Sequence, residues 1–429
     1  MGKNQAVTGI VDELAWRGLI ALSTDLDALR AELAKGPVTY YCGFDPTAPS
    51  LHIGNLVQIL TVRRLQLAGN CPLALVGGAT GLIGDPRENG ERVLQPRDLV
   101  AEWVARIRAQ IEPLLDFTGP YAARMVNNLD WTEGLSALDF LRDIGKHFRV
   151  NRMLAKEAVS ARLGSEAGIS YTEFSYQLLQ GLDFLELFRR YGCRLQTGGS
   201  DQWGNLTAGT DLVRRVTGES VHLLATPLLT DAAGEKLGKS TGGGNLWLDP
   251  ALTSPYAWYQ YFVNVEDQMV SPLLRILTFL DREEIEALEK ETVERPAARL
   301  GHRRLAEEAT RTLHGEEETR QVVAASQALF GRGSLAELAE PTLRAALTEA
   351  GLAEVPASPS PTVTALLAAA GLVASRNEAR RTVAEGGAYL NNERVSDPDA
   401  AVSPEDALYG RYLVLRRGRR TVAGVELVR

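Results

Sequence analysis

GPVTYYCGFDPTAPSLHIGNLVQILTVRRLQLA, residues 36–68, divides into three parts. Residues 36–45 are rich in β-branched and aromatic side chains and read as a strand. Residues 45–50 form a turn in which Pro46 and Pro49 fix the backbone, and residues 53–68 follow as an amphipathic helix. Four further apolar runs end in the same way, at residues 71–80, 123–131, 193–204 and 223–231. Strands separated by helical stretches indicate an α/β fold with a doubly wound parallel sheet. Ligands bind such sheets beyond the C-terminal ends of the strands. Those ends carry GFDPT, GGATG, NNLDW and GGSDQ, which are rich in glycine and in hydrogen-bonding groups.

The chain is 429 residues long and 45% hydrophobic, more than one core usually organises. The expected division is an α/β domain over 1–250, a helical connecting region over 251–350, a Pro- and Ser-rich linker over 351–362, and a small α+β domain over 363–429. No apolar run approaches the ~18 residues of a membrane span. The N-terminus fits neither a secretion signal nor a myristoylation site, because position 6 is Ala. Cys42, Cys71 and Cys193 are too few and too far apart for a disulfide framework or a zinc site. A cytoplasmic protein is expected. The net charge of −8 argues against sequence-blind nucleic-acid binding. Residues 361–429, however, hold ten Arg, no Lys and eight acids, a net of +2 that leaves −10 on the rest. Any polyanion contact is therefore local.

Two segments offer phosphate chemistry. His52 stands just before the helix entered through Gly54, and a helix N-terminus presents free N–H groups to an anion. GEKLGKS, residues 234–240, sets Lys236 and Lys239 around Gly238, although Ala233 stands where a P-loop needs Gly. Each alone also fits a bland reading, a surface histidine at a turn and a solvated loop. The glycines of residues 77–85 match a dinucleotide fingerprint poorly. No metal-ligand spacing and no serine-nucleophile elbow occurs, and the Trp and Met positions read as core.

Taken together, HIGN and KLGKS resemble the HIGH and KMSKS signatures of class I aminoacyl-tRNA synthetases. The blocks YCGFDPTAPSLHIGN, VGGATGLIGDP, GKHFRVNRMLAKE, ISYTEFSYQLLQ and QTGGSDQWGN look like those of bacterial tyrosyl-tRNA synthetases, in order. Residues 375–395 are similar to the S4 RNA-binding motif. The resemblance implies a Rossmann-like catalytic domain and an S4-like tail.

It also implies activation of L-tyrosine by ATP with Mg2+, then transfer to tRNA(Tyr). ATP is a substrate, with no permanently bound cofactor and no resident metal. Thr47 and His52 would meet the departing pyrophosphate, with Lys236, Lys239 and Ser240 on a closing loop. Gly43, Asp45, Gly54 and Asn55 would line the nucleotide, and Gly199 and Asp201 its ribose. Asn55 replaces the last His of the signature but keeps an N–H donor. Tyr41 and Asp183 fall at the phenolic hydroxyl, Asp85, Tyr176 and Gln180 around the ammonium group, and Gln202 beside the reacting carboxyl. Arg214 and Arg215 would meet the acceptor arm, and Arg376, Arg380, Arg381, Arg416 and Arg417 tRNA phosphates. Family members are homodimers. A tryptophan-activating relative would not need the hydroxyl pair Tyr41 and Asp183, and a non-catalytic paralogue would not need the phosphate donors.

Overall fold

The computed structural model describes residues 9–86, 90, 92–164, 168–230, 234, 237 and 245–428. The chain divides into two units, Met1–Asp249 with Glu266–Gly301, and Pro250–Val265 with His302–Arg429.

Among the described residues the first unit is built on a six-stranded sheet. Its strands are β1 (Leu22–Ser23), β2 (Thr39–Phe44), β3 (Cys71–Val76), β4 (Arg124–Asn127), β5 (Leu195–Gly199) and β6 (His222–Thr226). Their order is β1-β6-β5-β2-β3-β4, and all neighbours are parallel except β1, which pairs antiparallel with β6. The five apolar runs of the sequence coincide with β2 to β6, whose residues are mostly buried. The order reverses between β2 and β5, where Tyr41 lies opposite Gln196, so a crevice opens beyond their C-terminal ends.

The helix Ile53–Leu67 leaves β2 through the turn and buries residues on every side, among them Ile53, Leu56, Ile59, Leu60 and Leu65. Each such side chain contributes roughly 1.5–3 kcal/mol, which holds the helix N-terminus still at the crevice. The helix Tyr171–Tyr191 buries Tyr176 and Asp183 on the face that meets the sheet.

In the second unit the helices Pro255–Val263 and Glu340–Ala350 accompany the long helix Leu300–Ala328, which kinks at Gly315 (φ 85°). Its sheet comprises β7 (Leu352–Pro356), β8 (Ala388–Leu390), β9 (Glu393–Arg394), β10 (Tyr412–Arg417) and β11 (Thr421–Val428). The order is β7-β11-β10-β8-β9. The stretch expected to be a linker thus contains a strand. Leu352–Pro356 runs parallel to β11, and Ala353, Val355 and Ala357 pack on the core of the C-terminal fold. Its partner lies some seventy positions later in the chain, so no local pattern reveals the pairing.

Candidate active site

The crevice of the first unit holds a cavity of about 350 Å³. Its lining includes Tyr41, Gly43, Asp45, Thr47, His52, Gly54 and Asn55 from β2, the turn and the helix Ile53–Leu67. Asp85, Tyr176, Gln180, Asp183, Gly199, Asp201 and Gln202 also line it. The segments carrying the expected ATP and tyrosine contacts therefore converge on one space. Lys236, Lys239 and Ser240 lie outside the described residues. The flanks of their segment reach the same place. Leu229 and Leu237 line the cavity, and Trp247 bridges to His52.

At the helix entrance, His52 Nδ1 accepts the Gly54 N–H at 3.0 Å, and Asn55 Oδ1 accepts the His52 N–H at 3.1 Å. This reciprocal cap places the ring proton of His52 on Nε2 and leaves the Asn55 amide nitrogen to donate elsewhere. Gly54 is required here, because a Cβ would stand 2.9 Å from the His52 ring. Likewise a Cβ on Gly77 would sit 1.9 Å from Asp45 Oδ1. Asp45 is then held by Thr80 Oγ1 at 2.6 Å and Tyr176 Oη at 2.7 Å. Burial raises its carboxyl above the usual range, against those two hydrogen bonds.

Deeper in, Asp183 is 2% exposed and accepts Trp131 Nε1–H at 2.9 Å and Asn128 Nδ2–H at 3.0 Å. Burial pushes its carboxyl up to about 8, with the two donors opposing. Tyr41 is 1% exposed and packs edge-on against Phe184 at 5.2 Å. Its hydroxyl has no hydrogen-bond partner among the described residues, and neither does Gln180 Oε1. An unpaired buried hydroxyl costs about 1–3 kcal/mol, so the arrangement asks for a ligand that supplies the partner. Asp85 accepts Gln202 Nε2–H at 3.1 Å and Asn205 Nδ2–H at 3.0 Å, and burial raises its carboxyl too.

Sequence reasoning did not single out Asn128, Trp131, Thr80, Asn205 or Arg92. Asn128 and Trp131 belong to the strand end NNLDW, whose polar character was visible although its partner was not. Trp131, read as core, is also a donor. Arg92, which lines the cavity and donates to Asp85 O at 2.6 Å, carried no motif.

Of the expected tRNA contacts, Arg214 and Arg215 are exposed in the last turn of the helix Trp203–Thr217, with Arg214 paired to Asp211 at 3.1 Å. Arg376 and Arg381 are exposed on the helix Arg376–Ala384, while Arg380 pairs with Asp399. Arg416 is buried at 7% exposure over the Tyr389 ring, and Arg417 pairs with Glu378 at 2.9 Å.

Residues 33–331 match the family profile of class I tRNA synthetases (W and Y), and residues 346–423 match the C-terminal domain of the tyrosine–tRNA ligase SYY type. The chain is 65% identical over 422 residues to a tyrosine–tRNA ligase of Streptomyces avermitilis, covering 98% of this chain and 99% of that one. The chain belongs to the tyrosyl-tRNA synthetases. A relative from Acidothermus cellulolyticus is 62% identical over the same 98% of this chain and 99% of its own length. Among solved structures, a C-terminally truncated mitochondrial tyrosyl-tRNA synthetase of Coccidioides posadasii is 31% identical, with a TM-score of 0.65 over 75% of this chain and 92% of its own. The Aspergillus nidulans counterpart is 29% identical with a TM-score of 0.69, covering 75% and 94%. This synthetase thus shares both its catalytic and its C-terminal parts with the family.

Proposed function

We infer that this synthetase activates L-tyrosine with ATP, releases pyrophosphate, and transfers the tyrosyl group to the 3′ end of tRNA(Tyr), using the crevice beyond β2 and β5. The observation that carries the choice of tyrosine is the buried, partnerless Tyr41 hydroxyl beside Asp183. A phenolic substrate donates its proton to Asp183 and accepts from Tyr41. Phenylalanine leaves the Tyr41 hydroxyl buried without a partner and brings no donor to Asp183. Asp85, Tyr176 and Gln180 receive the ammonium group, and Gln202 stands beside the carboxylate.

The carboxylate is already a nucleophile, so attack on the α-phosphorus of ATP needs no general base. The site works by holding the reactants in line and by stabilising charge on the phosphoryl oxygens. His52 offers Nε2–H, Thr47 its hydroxyl and Asn55 its amide N–H, at a helix N-terminus that favours an anion. Gly43 and Gly54 let the nucleotide approach, and Gly199 and Asp201 take the ribose. Mg2+ enters with ATP on its phosphates. Lys236, Lys239 and Ser240 would meet the pyrophosphate, a reading favoured by Leu237 at the cavity and by the bridge of Trp247 to His52.

The same reading makes the protein a cytoplasmic homodimer. No helix among the described residues is long and apolar enough to cross a membrane. Leu138, Leu141, Val150, Leu163 and Tyr171 are each at least 50% exposed, and such apolar surface suits a self-complementary interface.

Purified protein given tyrosine, ATP, Mg2+ and tRNA should form tyrosyl-tRNA, and absence of that product would contradict the reading. Lys239→Ala should slow adenylate formation by about 30- to 1,000-fold while tyrosine affinity barely moves. An unchanged pre-steady-state rate would remove Lys239 from the mechanism.

A further inference from the structure

The block GKHFRVNRMLAKE marked the family resemblance, yet none of its residues has a part in the mechanism above. One of them reaches the site. Lys156 is partly buried, and its Nζ donates to Asn205 Oδ1 at 3.0 Å. The end of its stem lies over Gly204, where a Cβ would come within 3.3 Å of Lys156 Cε. A side chain at 204 would press on the end of the lysine stem. Burial pushes the Lys156 ammonium down to about 7, and nearby Asp85 opposes the shift.

An ammonium group only donates. It therefore dictates which end of the Asn205 amide faces it, and the Nδ2 end must turn the other way. Nδ2 then donates both to Asp85 Oδ1 at 3.0 Å and to Gln202 Oε1 at 3.0 Å. With Oε1 so engaged, Gln202 presents Nε2 to Asp85 Oδ2 at 3.1 Å. Asn205 and Gln202 each have two interchangeable-looking ends, and the Lys156 donor on one side of Asn205 and the Asp85 acceptor on the other select the same orientation. A flipped Asn205 would aim its oxygen at the Asp85 carboxylate.

We propose that Lys156 is a positioning residue for the amino-acid end of the substrate, fixing through Asn205 the orientation of both Asp85 and Gln202. The proposal rests on the reading that Asp85 takes the ammonium group and Gln202 the carboxylate. Lys156 itself is not among the residues that line the cavity.

The test is pyrophosphate-exchange kinetics on Lys156→Met, which keeps the stem and removes the donor, on Lys156→Arg, which restores a donor-only cation, and on Asp85→Asn. Lys156→Met should raise KM for tyrosine about 10-fold or more, with KM for ATP and the Tyr-over-Phe ratio within about twofold of the parent. Lys156→Arg should recover most of the loss. A Lys156→Met enzyme whose KM for tyrosine is unchanged, or whose KM for ATP moves as far, would overturn the proposal. If Asp85→Asn raises KM for tyrosine while Lys156→Met does not, only the role of Lys156 falls. If Asp85→Asn also leaves it unchanged, the underlying reading of the ammonium site falls with it.

Discussion

Tyr41 illustrates how a functional residue is recognised by what it lacks. Its hydroxyl is buried without a partner, which costs stability in the free protein and is repaid on binding a phenol. Tyr41→Phe should therefore leave the melting temperature equal or higher. It should also lower the Tyr-over-Phe ratio of kcat/KM by about 10-fold or less, since one neutral hydrogen bond is worth roughly 0.5–1.5 kcal/mol. A lowered melting temperature with an intact ratio would make Tyr41 a packing residue. Asp183 gives a pH-dependent companion. Burial raises its carboxyl from an ordinary 3.8 to about 8. A group raised in the fold contributes stability that is complete below the unfolded value and is lost as pH climbs through the folded one. Between pH 6 and 9 the parent should thus lose stability relative to Asp183→Asn, which carries no charge in either state. Calorimetry of both proteins at the two pH values reads this directly, and a constant difference would contradict the burial argument.

Elements decide where the chain can be cut. Residues 351–362 read as a linker, which suggests truncation near Ala357. The structure advises otherwise, because Leu352–Pro356 pairs with β11 and Leu347 of the preceding helix packs where Gly424 leaves room. A chain ended at Ala357 should expose that helix face and aggregate or melt early. A chain ended near Arg332 should keep tyrosine-dependent adenylate formation within a few-fold and lose most tRNA charging. Measuring both half-reactions and the melting temperature on the two truncations checks this, and equal stability would show β7 to be dispensable. The contrast marks what sequence could reveal. Strands β2 to β6 were legible because each falls in a short, mainly apolar run that ends in glycine or polar residues. Neither the two-residue β1 nor the partner of β7 was legible, since one is too short for a period and the other is a non-local pairing. Within the site, Tyr41 and His52 stood in a recognisable block. The roles of Trp131, Asn205 and Lys156 were not legible even where their blocks were, because those roles arise from contacts 49 to 52 residues away in the chain.

At the scale of the whole molecule, an acidic chain of net charge −8 must still hold a polyanionic RNA. The ten Arg of residues 361–429 supply the opposite sign, but several are engaged internally, Arg380 with Asp399, Arg411 with Glu340 and Arg417 with Glu378. Salt dependence of tRNA binding should accordingly be steeper for the full chain than for the truncated one, though gentler than ten phosphate contacts would give. Everything assigned to tyrosine and ATP lies instead in the first unit, around one cavity with a carboxylate and a hydroxyl at its end. The most direct test is amino-acid-dependent ATP–pyrophosphate exchange by the full-length protein, with tyrosine, phenylalanine and tryptophan offered separately. Exchange should be rapid with tyrosine and far slower with the other two. Comparable exchange with phenylalanine or tryptophan, or none with tyrosine, would contradict the assignment of Tyr41 and Asp183 as a phenol site.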